Sequence, residues 1–143
     1  MSDLYDDDIL LWSEQQADLL RRHAAGERIN DAAIDWPNIA EEIESVGNEQ
    51  LYAVESLLVQ AIRHMLKAYC WPLSRDVPHW QSEARAARGD AIARFAPSMR
   101  QRINMQRIYQ RAIRALPDTI DGQAPLPLPA DMPTLDELLA DDP

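Results

Sequence analysis

The sequence has little glycine, a single cysteine and no long apolar run. Four glycines in 143 residues, with few β-branched residues, are too few for a β-sandwich or barrel, so we expect an all-α fold. The lone Cys70 excludes an internal disulfide and a cysteine-based zinc site. No segment reaches the roughly 18 apolar residues of a membrane span, and the start, MSDLYDDD, is acidic where a signal peptide is basic. We therefore expect no membrane association and a cytoplasmic location.

Catalytic motifs are also scarce. The sequence has no Gly-x-Ser-x-Gly elbow, no Gly-rich phosphate loop and no His-Glu-x-x-His zinc motif. Each glutamate has a residue other than histidine three positions later, which excludes the Glu-x-x-His pairs of a di-iron bundle. We therefore expect no cofactor and no metal, and the absence of a complete catalytic set favours a non-enzymatic protein.

Charge is divided into three blocks. Residues 1–55 hold 14 acidic and 3 basic residues, residues 56–116 hold 3 acidic and 11 basic residues, and residues 117–143 hold 7 acidic and no basic residues. Blocks of opposite sign in a chain long enough for one domain, 1–143, are expected to meet within the fold. A pI near 4.6 disfavours nucleic-acid binding.

Apolar periodicity predicts a single-domain antiparallel bundle of about five helices. The predicted ranges are about 3–25, 35–47, 48–70, 78–95 and 98–116. Gly26 is expected to end the first helix, and the third and most apolar helix is expected to be central. Gly47 either separates the second and third helices or lies within one long bent helix, since an interior glycine costs only about 1 kcal/mol.

The C-terminal segment is rich in proline. Residues 118–133 include PLPLP at 125–129, which predicts an extended, polyproline-like chain. Thr134 and Glu137 then form a capping box that predicts a short closing helix, docked through its leucines.

Four residues are candidates for chemistry. Glu41 and Glu44 lie in EEIESVG, where carboxylates on one helix face can hold a divalent ion or form a solvated or arginine-paired surface. His64 and Lys67 lie three apart at the edge of the apolar arc of helix three, where they can act as acid and base, bind an anion or be structural. A groove between helices two and three would bring the four together.

Two further charge patterns concern arginine. Glu55 falls in the middle of the apolar arc of helix three, so we predict a buried ion pair with Arg85 or Arg88 of helix four. Helix five is predicted to carry one basic stripe that could track phosphates or form salt bridges, made of Arg100, Arg107, Arg111 and Arg114.

Several segments together form a longer pattern. They are LYDDDILLWSEQQADLLRR at 4–22, DWPNIAEEIESVG at 35–47, AVES at 53–56, HMLKAYCWP at 64–72 and PTLDELLADD at 133–142. In this order they resemble domain-of-unknown-function family 29 over nearly the whole chain. The resemblance implies a bacterial, all-helical, single-domain protein with no assigned activity. It singles out, without roles, Trp12, Glu41, Glu42, Glu44, Glu55, Ser56, His64, Lys67, Pro72, Trp80 and Tyr109.

The sequence departs from that family pattern at two places. Ala96-Pro97-Ser98 stands where the family tends to have Ser-Pro-Ser, and no cysteine lies near Met132. Charge segregation without a catalytic set predicts a non-enzymatic interaction module that binds a protein partner through its acidic face or its proline-rich tail. The alternative is an enzyme, or a metal- or anion-binding protein, that uses the groove of Glu41, Glu44, His64 and Lys67.

Overall fold

The structure, a computed structural model, describes residues 3–140 and is all-α, as predicted. Within this range two short 3-10 helices cover Asp31–Ala33 and Pro97–Met99, and no strand forms beyond the isolated bridge between Ile120 and Gln123. The α-helices are α1 (Leu4–Asp7), α2 (Ile9–Ala24), α3 (Trp36–Cys70), α4 (Val77–Arg94), α5 (Met105–Arg114) and α6 (Leu135–Leu139).

The predicted first helix is divided at Asp8. The φ of Asp8 is −151°, outside the helical region, and its side chain accepts a hydrogen bond from the Leu11 N–H, so Asp8 caps α2. Aspartate favours this arrangement because its carboxylate competes with the backbone for hydrogen bonds. Gly26 follows α2 with a φ of +84°, which confirms the predicted stop.

The predicted second and third helices form one helix of 35 residues, α3. Gly47 lies inside it, so the structure selects the continuous alternative. The helical hydrogen bonds end with the Trp71 N–H donating to the Lys67 carbonyl, directly before Pro72.

Backbone contacts group the chain into two compact units, one up to Asn48 and one from Glu49. In the first unit Trp12 and Ile34 are buried. The Trp12 indole donates to the Asp35 carboxylate at 3.0 Å, and the Gln16 side chain accepts from the Asp35 N–H at 2.8 Å and donates to the Ala33 carbonyl at 3.2 Å. This network ties α2 to the start of α3. The single-domain organisation of residues 1–143 stays a prediction.

The second unit contains the larger core. Apolar side chains from the second half of α3 pack with side chains of α4, α5, α6 and the turn at 97–103. The buried residues of this core are Val54, Leu58, Ile62, Leu66, Ala91, Met99, Ile103, Ile108, Ala112, Leu135 and Leu138. A smaller cluster contains Cys70, Trp71 and Trp80. The most apolar part of α3 is therefore central to this unit, as its periodicity predicts.

The predicted fifth helix is shorter than expected. Pro97–Met99 is a separate 3-10 helix, and α5 begins only at Met105, because the Asn104 side chain accepts from the Arg107 N–H and caps a new helix. Arg100 therefore lies in the preceding turn and not on α5.

The segment after α5 returns to the core. Asp121 and Gly122 have φ of +52° and +74°, and they form a tight turn between Ile120 and Gln123. The Gln123 carbonyl accepts from the Trp71 indole at 2.9 Å, and the Leu126 N–H donates to the Cys70 carbonyl at 2.9 Å. The predicted closing helix, α6, is confirmed, with Thr134 as its N-cap.

Candidate functional site

The first part of α3 carries an exposed apolar face, here called the α3 face, made of Trp36, Ile39, Ile43 and Val46. Ile43 is 68% exposed, Val46 61% and Trp36 43%, and Ile39 is half-buried. Their spacing of three, four and three residues keeps them within about 80° of arc on the helix. Most of this apolar side of α3 is therefore exposed to solvent.

The side of α3 that packs within the first unit is polar. Asn38, Glu42 and Ser45 are half-buried, whereas Ile43 is exposed. Asn38 donates to the Asp35 carboxylate at 2.8 Å, and the Tyr5 hydroxyl donates to the Glu42 carboxylate. These hydrogen bonds turn the polar side inward, so the apolar side is left exposed.

The charge around the α3 face is of one sign. Residues 29–62 contain no lysine, arginine or histidine. At about 100° per residue, Glu44 lies beyond one edge of the face, and Glu42 and Glu49 lie beyond the other. Exposed apolar side chains between carboxylates are typical of a surface that meets a partner, since scattered surface apolar residues seldom form an ordered row.

The predicted second and third helices are one helix, α3, so the structure has no pair of helices there to form the predicted groove. Glu41 and Glu44 belong to the first unit, and His64 and Lys67 belong to the second. Glu41 and Glu44 are both exposed. Within residues 3–140 no group of three His, Cys, Asp or Glu side chains is arranged to hold a metal ion.

His64 and Lys67 lie together beside α4. Lys67 Nζ is 5.0 Å from the centroid of the Trp80 ring. His64 is half-buried, and two residues of α4, His79 and Glu83, influence its charge. The sequence analysis did not single out His79 and Glu83, although their spacing of four residues on a predicted helix indicates that they share a face.

The predicted buried ion pair of Glu55 is corrected. Glu55 is half-buried, and no ion pair within residues 3–140 includes it, so it is not an unsolvated core charge that needs an arginine. Arg85 is exposed. Arg88 donates to the carbonyls of Leu138 at 3.2 Å, Glu137 at 3.2 Å and Ala140 at 3.0 Å, so it holds the end of α6.

The predicted basic stripe of four arginines is not continuous in the structure. Arg107, Arg111 and Arg114 are exposed on α5. Arg100, in the turn before α5, forms an ion pair with Asp136 and lies 5.6 Å from the Phe95 ring centroid. The stripe therefore has three arginines, and the acidic C-terminal block neutralises the fourth.

Cys70 borders an apolar cavity of about 410 Å³, with Trp71, Ile120 and Leu126 among its walls. The thiol is buried, and burial raises its pKa, so Cys70 stays protonated at neutral pH and is a poor nucleophile. Cys70 is therefore a small apolar residue of the core.

Comparisons with known proteins identify a family and a similar fold. The model of the family described as Domain of unknown function DUF29 matches residues 4–142. The chain is similar to an alpha-helical protein of unknown function from Rhodospirillum rubrum, with a TM-score of 0.61 and 28% sequence identity over 99% of this chain and 92% of that chain. A search of curated proteins found no match. No helix within the described residues is long and apolar enough to cross a membrane.

Proposed function

Because the chain belongs to the DUF29 family, whose name assigns no activity, we propose a function from its geometry: a non-enzymatic cytoplasmic module that binds a protein partner. The observation that carries this proposal is the α3 face, an ordered row of exposed apolar side chains in a stretch of chain that holds only acidic charges. Burying such a row is favourable by about 25 cal/mol for each Å² of apolar surface removed from water.

The chemistry of the α3 face favours one kind of partner, a basic amphipathic helix. The spacing of Trp36, Ile39, Ile43 and Val46 matches the apolar seam of two packed helices, in which flanking charges select the partner. Lysine or arginine beside the partner's apolar seam would meet exposed carboxylates such as Glu44. A second copy of this chain would bring carboxylates against carboxylates, which disfavours self-association through this face.

A peptide pair of opposite charge tests the proposal. One synthetic helix carries leucine at the seam positions and lysine beside them over about three heptads, and its matched control carries glutamate in place of lysine. In fluorescence anisotropy we expect the lysine peptide to bind, with an affinity that falls as salt rises, and the glutamate peptide to bind at least about tenfold more weakly.

Variants locate the binding surface. The double substitution Ile43→Glu and Val46→Glu changes two side chains that are already exposed, so the fold is expected to persist while binding falls at least about tenfold. Leu73→Glu is the matched control, because Leu73 is 99% exposed and lies outside the α3 face. Equal binding of both peptides, or equal loss in the double variant and the control, would contradict the proposal.

A further inference from the structure

A cavity of about 360 Å³ lies in the second unit, between α3, α5, α6 and the proline-rich segment that connects α5 to α6. Its walls include Tyr69 of α3, Tyr109 of α5 and Met132 of the proline-rich segment. The volume lies within the range of small-molecule sites, about 300–1,000 Å³. None of the residues that define the α3 face lines this cavity, so the proposed protein partner leaves it unexplained.

The deepest walls of this cavity are apolar, and its outer walls include aromatic rings. Ile62 and Leu66 are 1% and 3% exposed, whereas Met65 and Tyr69 are 38% and 54% exposed. These four residues lie at positions i, i+3, i+4 and i+7 of α3, so they share one face of the helix. Tyr109, which is half-buried, adds a second tyrosine from α5. The cavity is therefore built on two helices of the core.

The charged walls of the cavity are both acidic. They are Asp131 of the proline-rich segment and Glu137 of α6, and both are exposed. No ion pair within residues 3–140 includes either carboxylate. The described walls contain no lysine, arginine or histidine, and residues 115–143 have none in their sequence. The walls therefore carry negative charge that no other wall residue neutralises.

The backbone that carries the two carboxylates is restrained. A proline lies two residues away on each side of Asp131, and a proline ring limits the backbone to a narrow range of φ. The Glu137 N–H donates to the Thr134 hydroxyl at 3.1 Å, and the Glu137 carbonyl accepts from Arg88, which is not among the described walls. Because this backbone is already ordered, a ligand meets a lower entropic cost on binding.

We propose that this cavity binds a small quaternary ammonium ion. Such a cation is attracted by the π-electrons of Tyr69 and Tyr109, and its methyl groups pack against apolar side chains and methionine sulfur. Asp131 and Glu137 supply the opposite charge. A metal ion is a poor match, because it requires several oxygen ligands and most of these walls are carbon and sulfur. The proposal does not depend on the α3 face.

The test is an NMR titration of the protein with choline at constant ionic strength, observed at the methyl groups of Met65 and Met132, which both line the cavity. We expect saturable shifts of both methyl resonances. The control ligand is dimethylbutanol, in which a carbon atom replaces the choline nitrogen, and we expect it to bind at least about fivefold more weakly. No saturable shift with choline, or equal binding of the two compounds, would overturn the proposal.

Variants distinguish the cavity from the general acidity of the chain. Tyr69→Leu removes one aromatic wall and Asp131→Asn removes one carboxylate. Both residues are exposed, so we expect both variants to fold and each to weaken choline binding at least about threefold. Tyr52→Leu and Asp118→Asn are the matched controls, because both residues are exposed and neither lines the cavity. An equal loss in the controls, or no loss in the two cavity variants, would contradict the proposed site.

Discussion

Asp35 links the buried Trp12 side chain to the start of α3. Its carboxylate accepts from the Trp12 indole at 3.0 Å and from the Asn38 side chain at 2.8 Å. Asp35→Ala would leave the indole N–H without its acceptor and remove a polar contact from the first turn of α3. We expect the free energy of unfolding, measured in urea, to fall by about 1–3 kcal/mol.

The effect of Asp35→Ala should depend on pH. The hydrogen bonds from Asn38 and then Trp12 lower the pKa of Asp35 below its ordinary value of 3.8, although burial opposes them. A lowered folded pKa means that the stabilisation is complete above the unfolded value and is lost as pH falls through the folded one. The difference between Asp35→Ala and the parent should therefore be constant near neutral pH and shrink in acid. A difference that does not change with pH would count against this account.

The Tyr5 hydroxyl is expected to have the opposite pH dependence, because its stabilising contact is lost as pH rises. The hydrogen bond to Glu42 raises the pKa of Tyr5 to about 12, with burial and the nearby carboxylates adding to it. Its stabilisation is therefore present below the ordinary value of 10.0 and is lost as pH rises from there to about 12. In an NMR titration we expect Tyr5 to ionise near 12, and Glu42→Gln to return its pKa toward 10.0. An ordinary pKa for Tyr5 in the parent would contradict the contact.

Single residues mark where the sequence stops being informative. Periodicity places Ile43 and Val46 on one face of a helix, but it does not say whether that face meets the core. The polar contacts of Asn38 and Glu42 decide the matter, and they join residues as far apart as Tyr5 and Glu42. The Glu55 pairing was wrong for a related reason, since an angle on a helix does not give depth of burial.

At the scale of the element, Gly47 is the position at which the continuity of α3 can be tested. A methyl group added at Gly47 would meet no atom within 4 Å, whereas Gly26 has a φ of +84° that other residues rarely adopt. We expect Gly47→Ala to raise the free energy of unfolding by about 0.5–1 kcal/mol, because alanine is the better helix former. Gly26→Ala, the control, should lower it by about 1 kcal/mol or more. Destabilisation by Gly47→Ala would indicate a break in α3.

The closing helix α6 depends on Arg88. Its guanidinium donates to three carbonyls at the end of α6, groups that lack partners inside so short a helix. We expect Arg88→Leu to increase hydrogen exchange of the α6 amides and to cost about 1–3 kcal/mol. Arg100→Gln removes an exposed ion pair with Asp136 and should cost under about 1 kcal/mol, which makes it the matched control. Equal exchange in both variants would show that Arg88 does not hold α6.

Elements could be predicted from the sequence more completely than their ends. Four of the main helices and the N-cap at Thr134 follow from apolar periodicity and cap residues. The ends shifted where a side chain started a new helix, as Asp8 and Asn104 do. The Asp121-Gly122 turn was missed, although Asp-Gly is a strong signal for such a turn.

At the scale of the whole molecule, the charge blocks have two roles. Part of the opposite charge meets inside the chain, as Arg100 does with Asp136. The acid-only stretch at 29–62 has no basic residue of its own and includes the exposed α3 face. The charge pattern can be read from the sequence. Which apolar residues are exposed and which belong to the core is seen only in the folded structure.

The measurement that tests the proposed function most directly is an NMR map of the chain bound to the lysine-bearing peptide helix. We expect the amides that shift to cluster between Trp36 and Gly47, with the strongest effects at Ile43 and Val46. The Ile43→Glu and Val46→Glu double variant should abolish those shifts and leave the rest of the spectrum unchanged. Shifts centred instead on the proline-rich segment near Leu126 and Leu128, or no shifts at all, would contradict the assignment of the α3 face as the binding surface.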